Sequence, residues 1–314
     1  MTYEQFGEIW DDGSECIECS TSGSTGKPKK ILLPKREMRR SAQRTIDYFG
    51  ITCDSLLYSC ISPDYIGGKM QLVRARTAGC RLSYEKPSNA PFPLYSGERI
   101  DLVSVVPSQM LYIARMEQLP DVGAYLVGGA PVHDSLRRII DERGIPAYET
   151  YGMTETASHV AIRRICDPEE SFRVLPGVSI FTTEEGCLGL DIEGWQRIVT
   201  NDIAKMDTPE TFTIRGRADN VIITGGLKVH PEELEAKIRS LTGMECLINA
   251  EPDEKWGERV VLTIEPDEKS GMNPEEIKAG ITTLLKGKVS PHEFPKTIRV
   301  GIIPRTENGK MKRK

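Results

Sequence analysis

The chain has little that would take it to a membrane or to a polyanion. Its longest apolar runs, such as Leu102-Val103-Ser104-Val105-Val106, fall far short of the roughly 20 residues a spanning helix needs. The opening Met1-Thr2-Tyr3-Glu4-Gln5 has neither the basic nor the apolar stretch of a secretory leader, so a cytoplasmic protein is expected. Positive charge is not in excess: 41 Lys and Arg against 46 Asp and Glu leave a net charge of −5. That balance argues against a nucleic-acid binder, whose affinity comes from a cationic surface. Zinc-site spacing is missing too. Of eight cysteines only Cys16 and Cys19 form a C-x-x-C, and no second pair follows. They are expected to be two residues of a buried strand, with the thiols reduced. Internal repeats and low-complexity tracts are absent. His133, His230 and His292 sit at predicted helix starts or turns and belong to no visible constellation.

What is present is a globular composition. With 314 residues, 39% hydrophobic and 28% charged, the chain can bury a core and is long enough for one large or two ordinary domains. The continuous apolar run at 56–61 has the look of a strand covered on both faces, and further strands are read at 81–84, 101–106, 123–127 and 147–149. Helical patterns fill 35–49, 108–116 and 134–143 between them. This alternation predicts an α/β domain whose ligands gather at the C-terminal ends of the strands. After about residue 170 short β-like runs split by Gly and acidic turns suggest a meander or small distorted barrel. From Pro231 an α+β pattern returns: a helix begun by Pro231, a strand over 258–265, a helix capped by Asn273, and a last strand over 298–303. The division expected is 1–218 for a large domain and 219–314 for a small one.

The first stretch with chemistry in it is Ser20-Thr21-Ser22-Gly23-Ser24-Thr25-Gly26-Lys27-Pro28-Lys29. Glycines let backbone amides turn onto an anion, hydroxyls add donors and lysines add charge, so the stretch reads as a polyphosphate loop. It is not a Walker A loop, because Pro28 follows Gly26-Lys27 and Thr21 stands where the first glycine belongs. A second loop, Tyr151-Gly152-Met153-Thr154-Glu155, also follows a predicted strand. It offers a ring to stack on a base, a hydroxyl for a phosphate oxygen and a carboxylate for Mg²⁺. Around these lie Gly128-Gly129-Ala130-Pro131, Thr200-Asn201-Asp202, Arg215-Gly216-Arg217-Ala218-Asp219, Thr224-Gly225-Gly226-Leu227-Lys228 and Pro304-Arg305-Thr306-Glu307-Asn308-Gly309-Lys310.

That ordered set, from Ser20 to Lys310, resembles the adenylate-forming superfamily of acyl-CoA synthetases, luciferases and peptide-synthetase adenylation domains. The resemblance implies a large α/β domain with a β-subdomain and a small mobile α+β C-terminal domain. It implies ATP, Mg²⁺ and coenzyme A as cofactors. Thr21, Ser22, Gly23, Ser24, Thr25, Gly26 and Lys29 would hold the ATP phosphates. Gly128, Gly129, Ala130 and Pro131, with Glu149, Thr150, Tyr151 and Gly152, would frame the adenine. Thr154 would touch the α-phosphate, Glu155 would bind the metal, and Asp202 with Arg217 would hold the ribose. Asp219 matches the hinge, and Lys310 the lysine of the adenylation step. Thr224, Gly225, Gly226 and Lys228 would line the channel for the CoA arm. Asn201 stands where the family usually has glycine.

Most members carry well over a hundred residues before the phosphate loop, and nineteen precede it here. The N-terminal subdomain is therefore expected to be largely missing. The acyl pocket would then be built from Tyr65, Gly67, Gly68 and Lys69, the 104–110 region and residues after Glu155, such as Ser158 and His159. Tyr148 to His159 looks most like the o-succinylbenzoate–CoA ligases of menaquinone biosynthesis, which act on an aromatic dicarboxylate. Lys69 is a candidate to neutralise its ring carboxylate, the bland alternative being a solvated lysine at a helix start. His159 is a candidate acid–base group or a plain pocket histidine. The other readings are a ligase for a different small aryl or acyl acid, one that uses a carrier-protein thiol, and a non-catalytic ATP or AMP sensor.

Overall fold

Helix α1 (Tyr3–Asp11) is set up by the residue before it. Thr2 Oγ1 accepts from the Gln5 amide at 3.3 Å, and Gln5 Oε1 accepts from the Thr2 amide at 2.8 Å, a reciprocal pair that satisfies two orphan donors. Tyr3, Phe6 and Trp10 then share one buried face. At the far end Lys35 Nζ lies 2.9 Å from the Ile9 carbonyl and 2.7 Å from Asp12 Oδ1, which caps the helix and holds the Asp12 carboxyl down at about 2. No helix was expected here; the Thr-x-x-Gln signature ahead of an apolar i, i+3, i+7 face is the signal for it.

The structure, a computed structural model, describes residues 1–20, 29–92, 97–166, 171–266, 273–305 and 311–313. Two compact units divide it. The first comprises Met1–Ile180, Leu190–Arg197 and Asp207–Phe212. The second comprises Phe181–Gly189, Ile198–Met206 and Thr213–Lys314, so the boundary expected at 218/219 falls inside it.

In the first unit β1 (Cys16–Ser20) and β2 (Lys30–Pro34) pair antiparallel, with Ser20 opposite Lys30. Cys19 is buried and Cys16 half-buried on β1, both as free thiols. Residues 21–28, with Thr21, Ser22, Gly23, Ser24, Thr25 and Gly26 of the expected phosphate loop, lie outside the described residues. There follow α2 (Lys35–Phe49), β3 (Leu56–Ser59), α3 (Ile66–Ala78), β4 (Arg81–Tyr84), β5 (Ile100–Val105), α4 (Pro107–Ala114), β6 (Val122–Val127), α5 (Asp134–Glu142) and β7 (Ala147–Met153). Strands β4, β3, β5, β6 and β7 are parallel in that spatial order. Strands β8 (Ser158–Arg164) and β9 (Phe172–Val174) add on antiparallel. Leu57, Leu102 and Leu126 pack into the layer with α1, α2 and α3. Their neighbours Tyr58, Val103 and Val127 pack into the layer with α4 and α5. Both faces are covered, which is why β3, β5 and β6 carry apolar residues on both sides.

Strands β10 (Val178–Thr182), β11 (Cys187–Ile192), β12 (Ile198–Thr208) and β13 (Thr211–Arg217) are successive neighbours, the meander expected. In the second unit β14 (Ile222–Thr224), β15 (Leu227–Val229), α6 (Pro231–Thr242), β16 (Glu245–Asp253), β17 (Gly257–Glu265), α7 (Pro274–Leu285) and β18 (Thr297–Val300) form an α+β layer. Asn273 Oδ1 accepts the Glu275 amide at 3.0 Å and caps α7. Ile238, Ile277 and Leu285 from the helices cover Ile248, Val260 and Leu262 of the sheet. Among the described residues no helix is long and apolar enough to cross a membrane.

The adjacent glycines that begin α3 have opposite reasons to be there. A Cβ on Gly68 would lie 2.3 Å from the Ser62 carbonyl oxygen, whereas at Gly67 the nearest atom is Ile61 Cδ1 at 3.8 Å. Gly68→Ala is expected to cost about 3 kcal/mol of stability, and Gly67→Ala to change it by less than about 1 kcal/mol, towards stabilisation. Paired urea titrations of the two variants check this.

Candidate active site

The glycine-bearing loops stand at the C-terminal ends of the parallel strands, where α/β sheets bind ligands. After β6 the Gly128 amide donates to the Val105 carbonyl at 3.1 Å, and Gly129 takes φ +86°. A Cβ on Gly128 would sit 2.5 Å from Thr150 Oγ1, which itself donates to the Val127 carbonyl at 3.2 Å. Gly128 and Thr150 are thus brought together, with Ala130 half-buried and Gly129 and Pro131 exposed beside them. Glu149 is also here, but its carboxylate faces inward. It accepts the Val132 amide at 3.1 Å and pairs with Arg137 and, at 2.8 Å, with Arg163. Expected to frame the adenine, the carboxylate of Glu149 instead ties β7 to α5 and β8.

At the end of β7 the register with β8 shifts between Tyr151 and Gly152. A Cβ on Gly152 would stand 2.2 Å from the Ser158 carbonyl oxygen, so only glycine fits. Thr154–Thr156 then make one 3₁₀ turn. Thr156 Oγ1 closes it, accepting from the Met153 amide at 3.0 Å and lying 2.6 Å from the Ser158 carbonyl oxygen. Thr154 is buried and Glu155 exposed on this turn. The Tyr151 ring meets Phe212 edge-on at 5.2 Å and Phe172 at 5.9 Å. Among the described residues no three metal-binding side chains cluster. A single exposed carboxylate beside a threonine nevertheless fits a Mg²⁺ that takes its other ligands from phosphates and water.

The expected acyl-pocket residues separate. Tyr65 is exposed ahead of α3, and the Gly68 carbonyl lies 3.1 Å from the buried Tyr3 hydroxyl. Lys69 is neither solvated nor turned to a pocket: it is 3% exposed and donates to the Pro63 carbonyl at 2.6 Å and the Asp64 carbonyl at 3.3 Å. Burial lowers its pKa, against the pull of Cys19 and Asp64. Both expectations for Lys69 are corrected here; its ammonium ties down the turn before α3.

One turn further along the same helix is the cation that sequence reasoning missed. Arg74 is 2% exposed, and its Nη1 donates to Gln71 Oε1 and its Nη2 to Ser158 Oγ, each at 2.9 Å. Among the described residues no carboxylate pairs with it, and its Nε has no hydrogen-bond partner. Burial brings the guanidinium down to about 10, so it stays cationic at neutral pH. His159 Nδ1 lies 3.4 Å from the same Nη2, and its Nε2 lies 3.2 Å from Thr45 Oγ1. Ser41, a turn from Thr45 on the same face of α2, has a buried hydroxyl without a partner among the described residues. The signal in the sequence is an arginine inside the otherwise uncharged run Met70-Gln71-Leu72-Val73-Arg74-Ala75.

In the second unit Arg217 Nη1 pairs with Asp202 Oδ1 at 3.0 Å, and its Nη2 lies 3.6 Å from Asp219 Oδ2. The Asn201 amide donates to that same Asp219 oxygen. The Thr224–Lys228 segment is a hairpin: Gly225 (φ +58°) and Gly226 (φ +79°) form its two-residue turn, with Thr224 opposite Leu227. Lys228 is exposed on its second strand. Lys310 lies outside the described residues.

Burial and the Arg74 charge both push the pKa of His159 well below 6.5, so the folded chain holds it neutral. The unfolded chain takes up that proton below about pH 6.5, and stability falls as pH drops beneath that value. Between pH 6.5 and 5 the slope due to His159 is expected to approach about 1.4 kcal/mol per pH unit. Denaturant titrations of wild type and His159→Gln across this range should differ by that slope.

Comparison with known proteins places the chain in a family. Residues 11–184 match the family described as AMP-binding enzyme. An indoleacetate–CoA ligase of Aromatoleum aromaticum is 26% identical over 94% of this chain and 65% of its own length. A 2-succinylbenzoate–CoA ligase of Listeria monocytogenes is 26% identical over 98% of this chain and 70% of its own. The chain thus spans about two thirds of the length of these curated relatives. Among solved structures, an acyl-CoA synthetase (AMP-forming)/AMP-acid ligase II-like protein of Dyadobacter fermentans superposes with a TM-score of 0.65 and 32% identity, over 98% of this chain and 90% of that one. With a family match over more than half its length, on the adenylate-forming fold, the chain belongs to the AMP-binding enzymes.

Proposed function

We propose that the chain is an AMP-forming acid–thiol ligase for an aromatic dicarboxylate, with o-succinylbenzoate as the acid and coenzyme A as the thiol. The observation that carries the choice of a dicarboxylate is Arg74. A buried guanidinium without a carboxylate is costly unless something anionic meets it. In a ligase for a diacid, one carboxylate reacts and the other needs a fixed cation.

In the first half-reaction the substrate carboxylate attacks the α-phosphorus of ATP, and pyrophosphate leaves. In the second, the thiol sulfur attacks the acyl carbon, AMP leaves and the thiol proton is released. Residues Ser20 to Lys29 hold the β- and γ-phosphates. Gly128 to Pro131, with Thr150, Tyr151 and Gly152, give the adenine a flat slot. Thr154 donates to the α-phosphate, Asp202 and Arg217 hold the ribose, and Lys310 stabilises the charge that builds during adenylation. Glu155 is the protein ligand for Mg²⁺, which when bound offsets charge on the phosphoryl oxygens. After rotation about Asp219, Thr224 to Lys228 line the path of the thiol. Ser158 orients Arg74 toward the second carboxylate, and His159, held neutral, adds no competing charge.

A monocarboxylic aryl acid is the second reading, favoured by the indoleacetate ligase among the relatives. Acid-dependent exchange of labelled pyrophosphate into ATP, without CoA, separates the two. Exchange is expected to be about 10- to 100-fold more efficient with o-succinylbenzoate than with aryl acids that have one carboxylate. Exchange with monoacids alone removes the dicarboxylate, and none with any acid removes the ligase. Lys310→Ala is expected to lower this exchange by at least about 100-fold while sparing thioester formation from supplied acyl adenylate. An equal loss in both half-reactions would contradict the role given to Lys310.

A further inference from the structure

Strand β4 stands at the end of its sheet, and among the described residues no strand lies beyond it. Its inner edge is occupied: the Arg81 amide donates to the Ser55 carbonyl and the Glu85 amide to the Ser59 carbonyl, each at 3.2 Å. Backbone groups of successive residues point to opposite edges of a strand, so those of Leu82 and Tyr84 face outward. Arg81, Ser83 and Tyr84 are exposed there, and Leu82 and Glu85 half-buried. An edge of this kind is a template for a further strand. Side chains alternate between the two faces of the sheet. Leu82 packs on the core under α1 and α3. On that face Tyr84 also meets the Tyr3 ring at 4.7 Å and donates to Glu4 Oε1 at 2.6 Å. On the other face Arg81 Nη2 lies 2.5 Å from Glu98 Oε1, and Glu85 Oε1 accepts the Phe92 amide at 3.0 Å.

We propose that β4 is a homodimer interface, pairing antiparallel with β4 of a second copy about a two-fold axis through Ser83. The outward backbone groups set the register. Antiparallel residues that exchange both hydrogen bonds must both face outward, and this axis sets Leu82 opposite Tyr84 of the copy, and Tyr84 opposite its Leu82. Each outward N–H and C=O of the two residues is then met. The charges choose the occupant. The strand reads Arg81-Leu82-Ser83-Tyr84-Glu85, with opposite charges two residues either side of the axis, so Arg81 of each copy stands opposite Glu85 of the other. An axis on Leu82 or on Tyr84 would set one of these charges opposite Ser83 and separate the pair. Charged residues on an edge ordinarily keep strands apart; here a second copy in this register is the partner that complements them. A contact of so few residues is smaller than a permanent interface, so the dimer is expected to exchange with monomer.

Ser83→Cys tests the axis on the full chain. Facing residues of an antiparallel pair without mutual hydrogen bonds have Cα atoms about 4.5 Å apart, within disulfide reach. Oxidised with diamide, which takes up the two thiol protons and two electrons, Ser83→Cys is expected to run mainly as a reducible covalent dimer. Wild type, with its native thiols, and Lys86→Cys, at an exposed position farther along the chain, should stay mainly monomeric. Sedimentation equilibrium without oxidant, between about 1 and 100 µM chain, should carry wild type from one chain mass towards two. Arg81→Glu, which opposes like charges twice, should weaken this association at least about tenfold, and Arg81→Glu/Glu85→Arg should restore it. Wild type that stays at one chain mass at about 100 µM overturns the interface. So does a dimer in which Ser83→Cys cross-links no better than Lys86→Cys. A folded double variant as weak as Arg81→Glu overturns the register. Should the double variant lack a cooperative melt, the Ser83→Cys comparison decides alone, since an exposed serine tolerates that change.

Discussion

A guanidinium in the core without a carboxylate is the constraint on which the first unit is arranged. Arg74 takes no ion pair among the described residues, so its charge is met by neutral groups: Gln71, Ser158 and the ring of His159. Each of these is fixed in turn. Gln71 donates to the Tyr58 carbonyl at 3.1 Å, and His159 meets Thr45 on α2. One charge thereby sets the mutual placement of α2, α3, β3 and β8. It also decides the protonation of His159, because burial and the guanidinium 3.4 Å away both oppose a second cation there. Polar networks of this kind are costly when incomplete, and among the described residues this one leaves the Arg74 Nε and the Ser41 hydroxyl unpartnered.

The second constraint is steric. The β7–β8 turn brings backbone within a distance that no side chain tolerates at Gly152, and the β6 loop brings Gly128 against the Thr150 hydroxyl. Close approach at these two points aligns the ends of adjacent strands and projects Thr154 and Glu155 from a short turn held by Thr156. In the second unit the Gly225-Gly226 turn plays a similar part: a Cβ on Gly225 would stand 2.8 Å from Trp256 Cε3. Binding and catalytic residues commonly sit on loops held by a rigid scaffold, and here missing Cβ atoms allow the close approach at the loop ends.

Much of this was legible in the sequence because it is local. The apolar runs of β3, β5 and β6, the Asn273 cap and the Pro231 start depend on neighbours within a few residues, which is what periodicity and capping rules read. The order of the motifs carried the family. Less legible were the features that depend on partners far along the chain. Arg74 and Ser158 are 84 residues apart, so a spacing rule could not see that the guanidinium is held in the core by a strand so far along the chain. Lys69 was misread for the same reason, since a glycine-rich turn suggests an open lysine while the carbonyls of 63 and 64 fold over it. Glu149 looked like a ligand residue on a strand end until Arg137 and Arg163 claimed it. Helix α1 was within reach, for Thr2, Gln5, Tyr3, Phe6 and Trp10 spell it out.

The central claim is that Arg74 meets the second carboxylate of the substrate. A double cycle tests it most directly: adenylation kcat/KM of wild type and Arg74→Met, each with o-succinylbenzoate and with the same acid lacking its ring carboxylate. The account predicts that Arg74→Met costs the diacid about 10- to 100-fold and the monoacid almost nothing, the loss of one charge-assisted contact. Equal losses with both acids would contradict it and leave Arg74 a structural residue of the core.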